Sequence, residues 1–389
     1  MQNGLIESGF GEVLDLRDAG IEASTYAEMR PAAYAGDGVS LREWVRAHKA
    51  AYAGEGVSLR ERVRAHLAIM RLDHSIKNLF VLPGVIVPLS VEPALMNLHL
   101  VATLVWALVA ITLVACSNYV INEVLDAPFD RMHAVKKTRP AARGLVCVPL
   151  AYAQWIAMMV AGVGIAWTIS TPFAVTALAL WVMGCVYNIR PLRTKDVPYL
   201  DVLTESVNNP LRMLLGWYAV TAVMVPPVSL LVSYWMIGCY FMALKRFSEL
   251  REMGGGAAGN YRASFRRYTA ESLLVSVMFY AAAAMLFFGA FAIRYRMELL
   301  LGFPLVAGVM AVYFRLAFER NSAVQHPEKL YRERGLMVWF AACVVVMVGM
   351  LFVRVPRLEG AFLPTLPVVR AVGVTAPVRP AGDGLEMVD

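Results

Sequence analysis

The chain has 389 residues, of which 59% are hydrophobic and only 17% charged, with a mean hydropathy of +0.57. Soluble globular chains carry about a quarter charged residues, so this composition excludes an ordinary soluble domain and points to an integral membrane protein. The net charge of +7 and pI near 9.2 come from short basic clusters between long apolar runs; that is a topological signal, and no nucleic acid is expected.

Residues 1–70 read as a polar, amphipathic N-terminal segment. YAGDGVSLREWVRAHKAA (34–51) recurs as YAGEGVSLRERVRAHLAI (52–69), identical at 14 of 18 positions. Each copy carries a capping box, Ser40 with Glu43 and Ser58 with Glu61, that marks a helix start. The second copy is expected to lie along the cytoplasmic membrane surface, with His48 and His66 solvated. The first copy reads as a local duplication without a role of its own. No cleavable leader is legible in this stretch, so the first span is expected to act as the insertion signal.

Nine apolar runs follow, at roughly 76–91, 99–121, 149–169, 173–188, 202–222, 226–244, 271–293, 298–318 and 335–353. Crossing ~30 Å of hydrocarbon takes ~17–25 residues at 1.5 Å each, and lipid leaves the helix as the natural form. The expected fold is therefore an all-α membrane protein of about nine transmembrane helices over 71–354. Pro83, Gly84 and Pro88 make the first span short and kinked. Residues 355–389, rich in Pro, Gly, Val and Ala, read as a poorly ordered tail.

Lysine and arginine gather on alternate connections: Arg131 to Arg143, Arg190 to Lys195, Lys245 to Arg267, and Arg315 to Arg334. The connections near 92–98, 169–173 and 221–226 have none, and Arg294 and Arg296 are the exception. This bias places the N-terminus in the cytoplasm and the C-terminus outside. The five cysteines are scattered, with no disulfide framework or zinc spacing.

The chemistry lies after the second span, where Asn118, Asn122, Asp126 and Asp130 recur every four residues. Four residues turn a helix by ~400°, so these side chains form one slowly drifting stripe. Pro128 is expected to kink or end the helix and to leave Asp130 on the following loop. Hard oxygen ligands suit magnesium bridged to substrate phosphates, and Arg131, Lys136, Lys137, Arg139 and Arg143 follow within thirteen positions. A second cluster holds Tyr187, Asn188, Arg190, Arg193, Lys195, Asp201, Glu205, Asn208 and Asn209, with the last acidic residues on one helix face. Two acidic-and-basic clusters on one membrane side read as halves of one site.

These residues resemble the UbiA superfamily of intramembrane prenyltransferases. Asn122-Glu123-Val-Leu-Asp126-Ala-Pro-Phe-Asp130 is similar to its NDxxDxxxD motif, with Glu123 in place of the first aspartate. Thr138-Arg139-Pro140 and Gly144 match the RP…G that follows. Within the superfamily, the chain resembles the decaprenyl-phosphate phosphoribosyltransferase branch. The likeness lies in Arg71 through Lys77-Asn78, in Asp201-Val-Leu with Leu211-Arg212, and in Lys245-Arg246-Phe-Ser-Glu249-Leu with Tyr268-Thr. It extends to His326-Pro-Glu328 with Arg334. Leu72, Glu123, Pro128 and Asn208-Asn209-Pro210 depart from the usual pattern.

The resemblance implies a UbiA-like helical bundle with a cytoplasmic-facing active site in a bacterial-type inner (plasma) membrane, serving cell-envelope lipid biosynthesis. It implies Mg2+-dependent transfer of phosphoribosyl from phosphoribosyl diphosphate to a polyprenyl phosphate. Magnesium would be held by Asp126 and Asp130 with Asn122 and Glu123. Lys77, Asn78 and Arg71 would hold the lipid phosphate. Lys137, Arg139, Arg143, Arg190 and Lys195 would grip the donor, and Asp201, Glu205, Tyr187, Lys245 and Arg246 would complete the site. The competing readings are conventional transfer of a polyprenyl group from its diphosphate to an aromatic or other acceptor, and a transporter. A transporter would place its ionisable groups near the bilayer midplane rather than at helix ends. A homo-oligomer is compatible with the sequence.

Overall fold

A computed structural model of the chain describes residues 5–7, 13–15, 58–131, 136–253, 263–325 and 327–361. The first duplicated copy, His48 and His326 lie outside the described residues. A short antiparallel pair, β1 (Leu5–Glu7) and β2 (Val13–Asp15), lies in the N-terminal segment; all other regular structure among the described residues is helical.

α1 (Leu59–Ala68) begins at the expected capping box: the Glu61 amide donates to Ser58 Oγ at 3.3 Å, and the Ser58 amide to Glu61 Oε2 at 3.1 Å. His66 is not solvated as expected. Its Nδ1 meets Gln154 Oε1 at 3.0 Å and its Nε2 accepts from the Cys147 amide at 3.2 Å, so an imidazole with two polar partners ties α1 to the bundle.

A 3-10 segment, Leu72–Val81, leads into α2 (Leu82–Val91), which carries Pro83 in its first turn and Pro88 inside. Then follow α3 (Leu98–Asp130), α4 (Val148–Ile169), α5 (Thr171–Asn188), α6 (Leu200–Ser206) and α7 (Asn208–Val220). The rest of the bundle is α8 (Val228–Met253), α9 (Ala270–Tyr295), α10 (Phe303–Leu316) and α11 (Arg334–Phe352). A final turn, α12 (Pro356–Ala361), stands where a poorly ordered tail was expected, and the Val355 amide before it donates to Glu298 Oε1 at 3.1 Å.

Among the described residues, eight helical stretches are long and apolar enough to cross a membrane. The fifth expected span, 202–222, is divided at Val207 into α6 and α7, where Glu205, Ser206, Asn208 and Asn209 crowd the joint. Pro128 does not break α3 as expected. It falls in the last turn, where its missing N–H forfeits one hydrogen bond, and the Arg131 amide still closes onto Ala127 O at 3.1 Å.

Four packed groups carry the fold, and two of them flank the site. Ile111 and Val114 of α3, Phe173 and Ala177 of α5 and Leu215 of α7 form one; Ala243 and Leu244 of α8, Leu273 of α9 and Tyr313 of α10 belong to the other. The outward faces keep Trp106, Val175, Leu286 and Val345 exposed, as a lipid-facing surface requires.

α2 and α7 touch backbone to backbone, since a Cβ at Gly84 would run into the Met213 carbonyl and one at Gly216 into the Val81 carbonyl. Neither obstacle is a flexible side chain. Gly216→Ala is therefore expected to destabilise the protein by about 1–3 kcal/mol, the usual cost of overpacking, read as a lowered midpoint in thermal unfolding of the detergent-solubilised protein.

Candidate active site

The C-terminal ends of α3, α5 and α8 meet the 189–199 loop, α6 and the loop before α9. On α3 the four-residue stripe is sorted by depth. Asn118 is spent on packing, with its Nδ2 donating to Leu180 O at 3.0 Å and its amide lying over Gly184. One turn on, Asn122 and Asp126 face the loop. Asp130 is 5% exposed and accepts from Arg139 Nη1 at 2.7 Å.

The centre of the site is the Lys195 ammonium. It lies 3.1 Å from Asn122 Oδ1, 2.5 Å from Asp126 Oδ1 and 3.0 Å from Asn188 Oδ1. Arg193 adds a second cation, its Nη2 donating to Asp126 Oδ1 at 3.1 Å and its Nε to Asp196 Oδ2 at 2.8 Å. Its guanidinium also lies over the Phe129 ring, 5.3 Å from the centroid.

Among the described residues, no three His, Cys, Asp or Glu side chains come together as a metal cage. The donor set nevertheless fits a hard cation. One carboxylate and two amide oxygens converge on a single point, and a cation, the Lys195 ammonium, stands there. Magnesium is commonly held by one or two carboxylates, with waters and substrate phosphates completing the shell. Glu123 does not share this point: it is 3% exposed and accepts from the Ala141 amide at 3.4 Å, which fastens the 139–142 loop to α3. Asp130 joins only if Arg139 releases it.

The second cluster divides in two. Asp201 is fully buried, with Arg246 Nε donating to its Oδ2 at 3.0 Å and the Tyr268 hydroxyl to its Oδ1 at 2.6 Å. Arg246 also donates to Glu249 Oε2 at 2.8 Å. Burial and the Asp201 carboxylate push the Tyr268 hydroxyl well above its usual range, so it stays a donor. The sequence reading put Asp201 and Arg246 in the catalytic site, whereas the structure places them in a closed ion-pair group that joins α6, α8 and the loop before α9. Glu205 faces the other way, 3.9 Å from Lys77 Nζ. Lys77 also stands over the Tyr119 ring at 5.8 Å.

The remaining expected site residues scatter. Asn78 is buried and donates to Thr112 Oγ1 at 2.9 Å, a tie from the first span to α3. Arg71 has positive φ and pairs with His74 and, at 4.0 Å, with Asp73. Lys137, Arg143 and Arg190 are exposed, and Tyr187 is half-buried in electrostatic range of Arg246.

Asn188 and Arg193 were absent from the expected ligand set, although both belong to the second cluster read from the sequence. Helical periodicity could not rank Arg190 against Arg193, because the 189–193 stretch is not helical. The structure holds the partly buried Arg193 against Asp126 and leaves Arg190 exposed. Arg193→Ala is expected to reduce turnover by at least tenfold, and Arg190→Ala by less than about threefold, each read as an initial rate on the purified protein.

Comparisons with known proteins agree with this frame. The chain is 27% identical over 185 residues to "Uncharacterized protein y4nM" of Sinorhizobium fredii, covering 48% of this chain and 34% of that one. It is 27% identical over 187 residues to a decaprenyl-phosphate phosphoribosyltransferase of Mycolicibacterium smegmatis, covering 48% of this chain and 57% of the relative. The match thus spans about a third and somewhat over half of these two relatives' lengths. The fold superposes on a UbiA homolog from Archaeoglobus fulgidus bound to DMAPP and Mg2+, with a TM-score of 0.56 and 18% identity over 72% of this chain and 98% of that one. The family model of the UbiA prenyltransferases matches residues 80–341. With eight helical stretches long and apolar enough to cross a membrane among the described residues, and a family match over most of its length, the chain is an integral membrane protein that belongs to the UbiA prenyltransferase family.

Proposed function

We propose that the protein transfers a 5-phosphoribosyl group from phosphoribosyl diphosphate to a polyprenyl phosphate at the cytoplasmic face of a bacterial-type inner membrane. The observation that carries this reading is the oxygen cage of Asn122, Asp126 and Asn188 closed on a cation, with Arg193 and Arg139 beside it. The relatives named decaprenyl-phosphate phosphoribosyltransferase support the choice of donor and acceptor.

Bound Mg2+ would supply charge neutralisation of the donor's diphosphate. Asn122, Asp126 and Asn188 would hold it, and Asp130 would join on release from Arg139. Lys195 and Arg193 are placed to move from Asp126 onto the diphosphate oxygens. The bond between C1 of the ribose and the diphosphate oxygen breaks, a lipid phosphate oxygen bonds to C1, and diphosphate leaves. The basic loops that carry Arg139, Arg193 and Lys195 face the cytoplasm in this reading, with the N-terminus on the same side.

The Archaeoglobus homolog, solved with DMAPP and Mg2+ bound, favours one other reading: an isoprenoid diphosphate held in the same cage and its prenyl group passed to another acceptor. The test uses protein in nanodiscs with Mg2+, labelled phosphoribosyl diphosphate and a polyprenyl phosphate. Label entering the lipid phase is the expected result. No label, with a polyprenyl diphosphate consumed when it is supplied in their place together with an aromatic acceptor, would overturn the proposal in favour of prenyl transfer.

A further inference from the structure

α1 is held on one side and bare on another. Ala65 and Ile69 are buried in one apolar group with Ala141 and Val146 of the loop before α4. His66 meets the Cys147 amide and Gln154, and Gln154 Nε2 donates in turn to the His66 carbonyl at 3.1 Å. The helix therefore lies against the first turns of α4 and beside the 139–147 loop. Its other side carries Leu59, Val63 and Leu67, which are 79%, 51% and 56% exposed. At about 100° per residue these three cover about 80° of the helix, and Arg60 and Arg64 begin about 20° further round. Both arginines are exposed, as is Arg62.

A stripe of three large apolar side chains left in water is costly. On α4 such exposure is what a lipid-facing span requires, and Leu150, 54% exposed, stands one turn from Gln154 on the same face. With ten residues, α1 is too short to span. Its stripe adjoins the lipid-facing side of α4 and is bordered by guanidinium groups, the arrangement of a helix lying in a membrane interface. The charge selects the lipid. Three arginines stand against Glu61, whose carboxylate is already taken by the Ser58 amide and hydroxyl. The excess of positive charge matches anionic headgroups. A second copy of the same face would set arginine against arginine.

The seat of α1 is part of the loop that borders the oxygen cage. Arg139 of this loop donates to Asp130, the Ala141 amide to Glu123, and Arg131 Nε to the Ala142 carbonyl at 3.0 Å. The loop ends at Cys147, whose amide donates to His66. Whatever pins α1 also pins the position from which Arg139 reaches Asp130. We propose that α1 docks on an anionic lipid leaflet through the Leu59, Val63 and Leu67 stripe with Arg60 and Arg64, and that this docking orders the 139–147 loop. The inference is independent of which group the protein transfers, and it holds equally for a phosphoribosyl or a prenyl donor.

The full chain and a double variant, Arg60→Gln with Arg64→Gln, are placed in nanodiscs of phosphatidylcholine alone or mixed with phosphatidylglycerol. Amide hydrogen exchange is followed by mass spectrometry over α1 and over the 139–147 loop. In the anionic discs, exchange of both wild-type segments is expected to slow by about tenfold or more. Raised salt is expected to remove the gain. The double variant, changed only at exposed positions, is expected to match the wild type in neutral discs and to gain less than about twofold in anionic ones. Equal exchange of α1 in the two lipids overturns the docking, and a slowed α1 beside an unchanged loop overturns the coupling. Slowing that follows the number of copies per disc rather than lipid charge makes the stripe a contact between copies and overturns the lipid assignment. No turnover enters these readouts, so a failed transferase assay leaves the docking standing, and failed docking leaves the reaction standing.

Discussion

Asp126→Asn is expected to lower turnover by about 10²–10³-fold while the protein still folds. The carboxylate is the one anion in the oxygen cage, and both Lys195 at 2.5 Å and Arg193 at 3.1 Å depend on it. Asparagine keeps the shape and one oxygen but removes the charge. Losing one preorganised electrostatic group at a reacting centre costs roughly 10²–10³ in rate. Initial rates of label transfer, set beside the thermal midpoint of the same preparation, check this. A normal rate in the variant would remove Asp126 from the reaction altogether.

The largest expected loss of stability belongs to Asp201→Ala. Asp201 is fully buried, and its removal leaves Arg246, itself 3% exposed, with Glu249 as its remaining ion pair. Breaking a buried pair from one side costs about 3–5 kcal/mol, because the orphaned charge stays behind. The hydroxyls of Tyr268 and Ser264 lose an acceptor as well, at 2.6 and 3.4 Å. Adding Arg246→Met and Glu249→Gln together should recover part of the loss, since an apolar or neutral replacement of a whole buried ion-pair group is often close to neutral. Tryptophan-monitored thermal unfolding of the single and triple variants reads this directly, and a triple variant no more stable than the single one would count against the ion-pair account.

Those two residues also mark how far the sequence could be read. Run length and composition gave the membrane spans, because crossing hydrocarbon imposes a minimum length that no tertiary context can hide. The four-residue spacing on α3 was legible for the same kind of reason: within one helix, spacing fixes direction. It could not show that Asn118 would be consumed by Gly184 of α5, or that Glu123 would turn to the Ala141 amide, because those partners come from other segments. Asp201 and Asp126 look alike in the sequence, each beside basic residues at a helix end. What separates them is long-range pairing: Arg246 from α8 closes over Asp201, whereas Asp126 meets the partly accessible 189–199 loop. The joint at Val207 and the continuity of α3 through Pro128 were misjudged because both depend on where in a helix the disturbance falls.

The Lys195 ammonium at the centre of the oxygen cage has a consequence for how the protein is made. A cluster of membrane-embedded oxygens that needed a free ion to be tolerable would leave the nascent chain exposed until that ion arrived. Here the chain brings its own counter-ion, ten residues or fewer from one oxygen donor and supplied by the loop that follows α5. Insertion and assembly can then run to completion with metal scarce, and a chelator present during synthesis should not reduce the yield of folded protein. Under the proposed function, loading with Mg2+ would be a late event in the life of the protein, a cation taking the place of the Lys195 ammonium at a point already shaped for it.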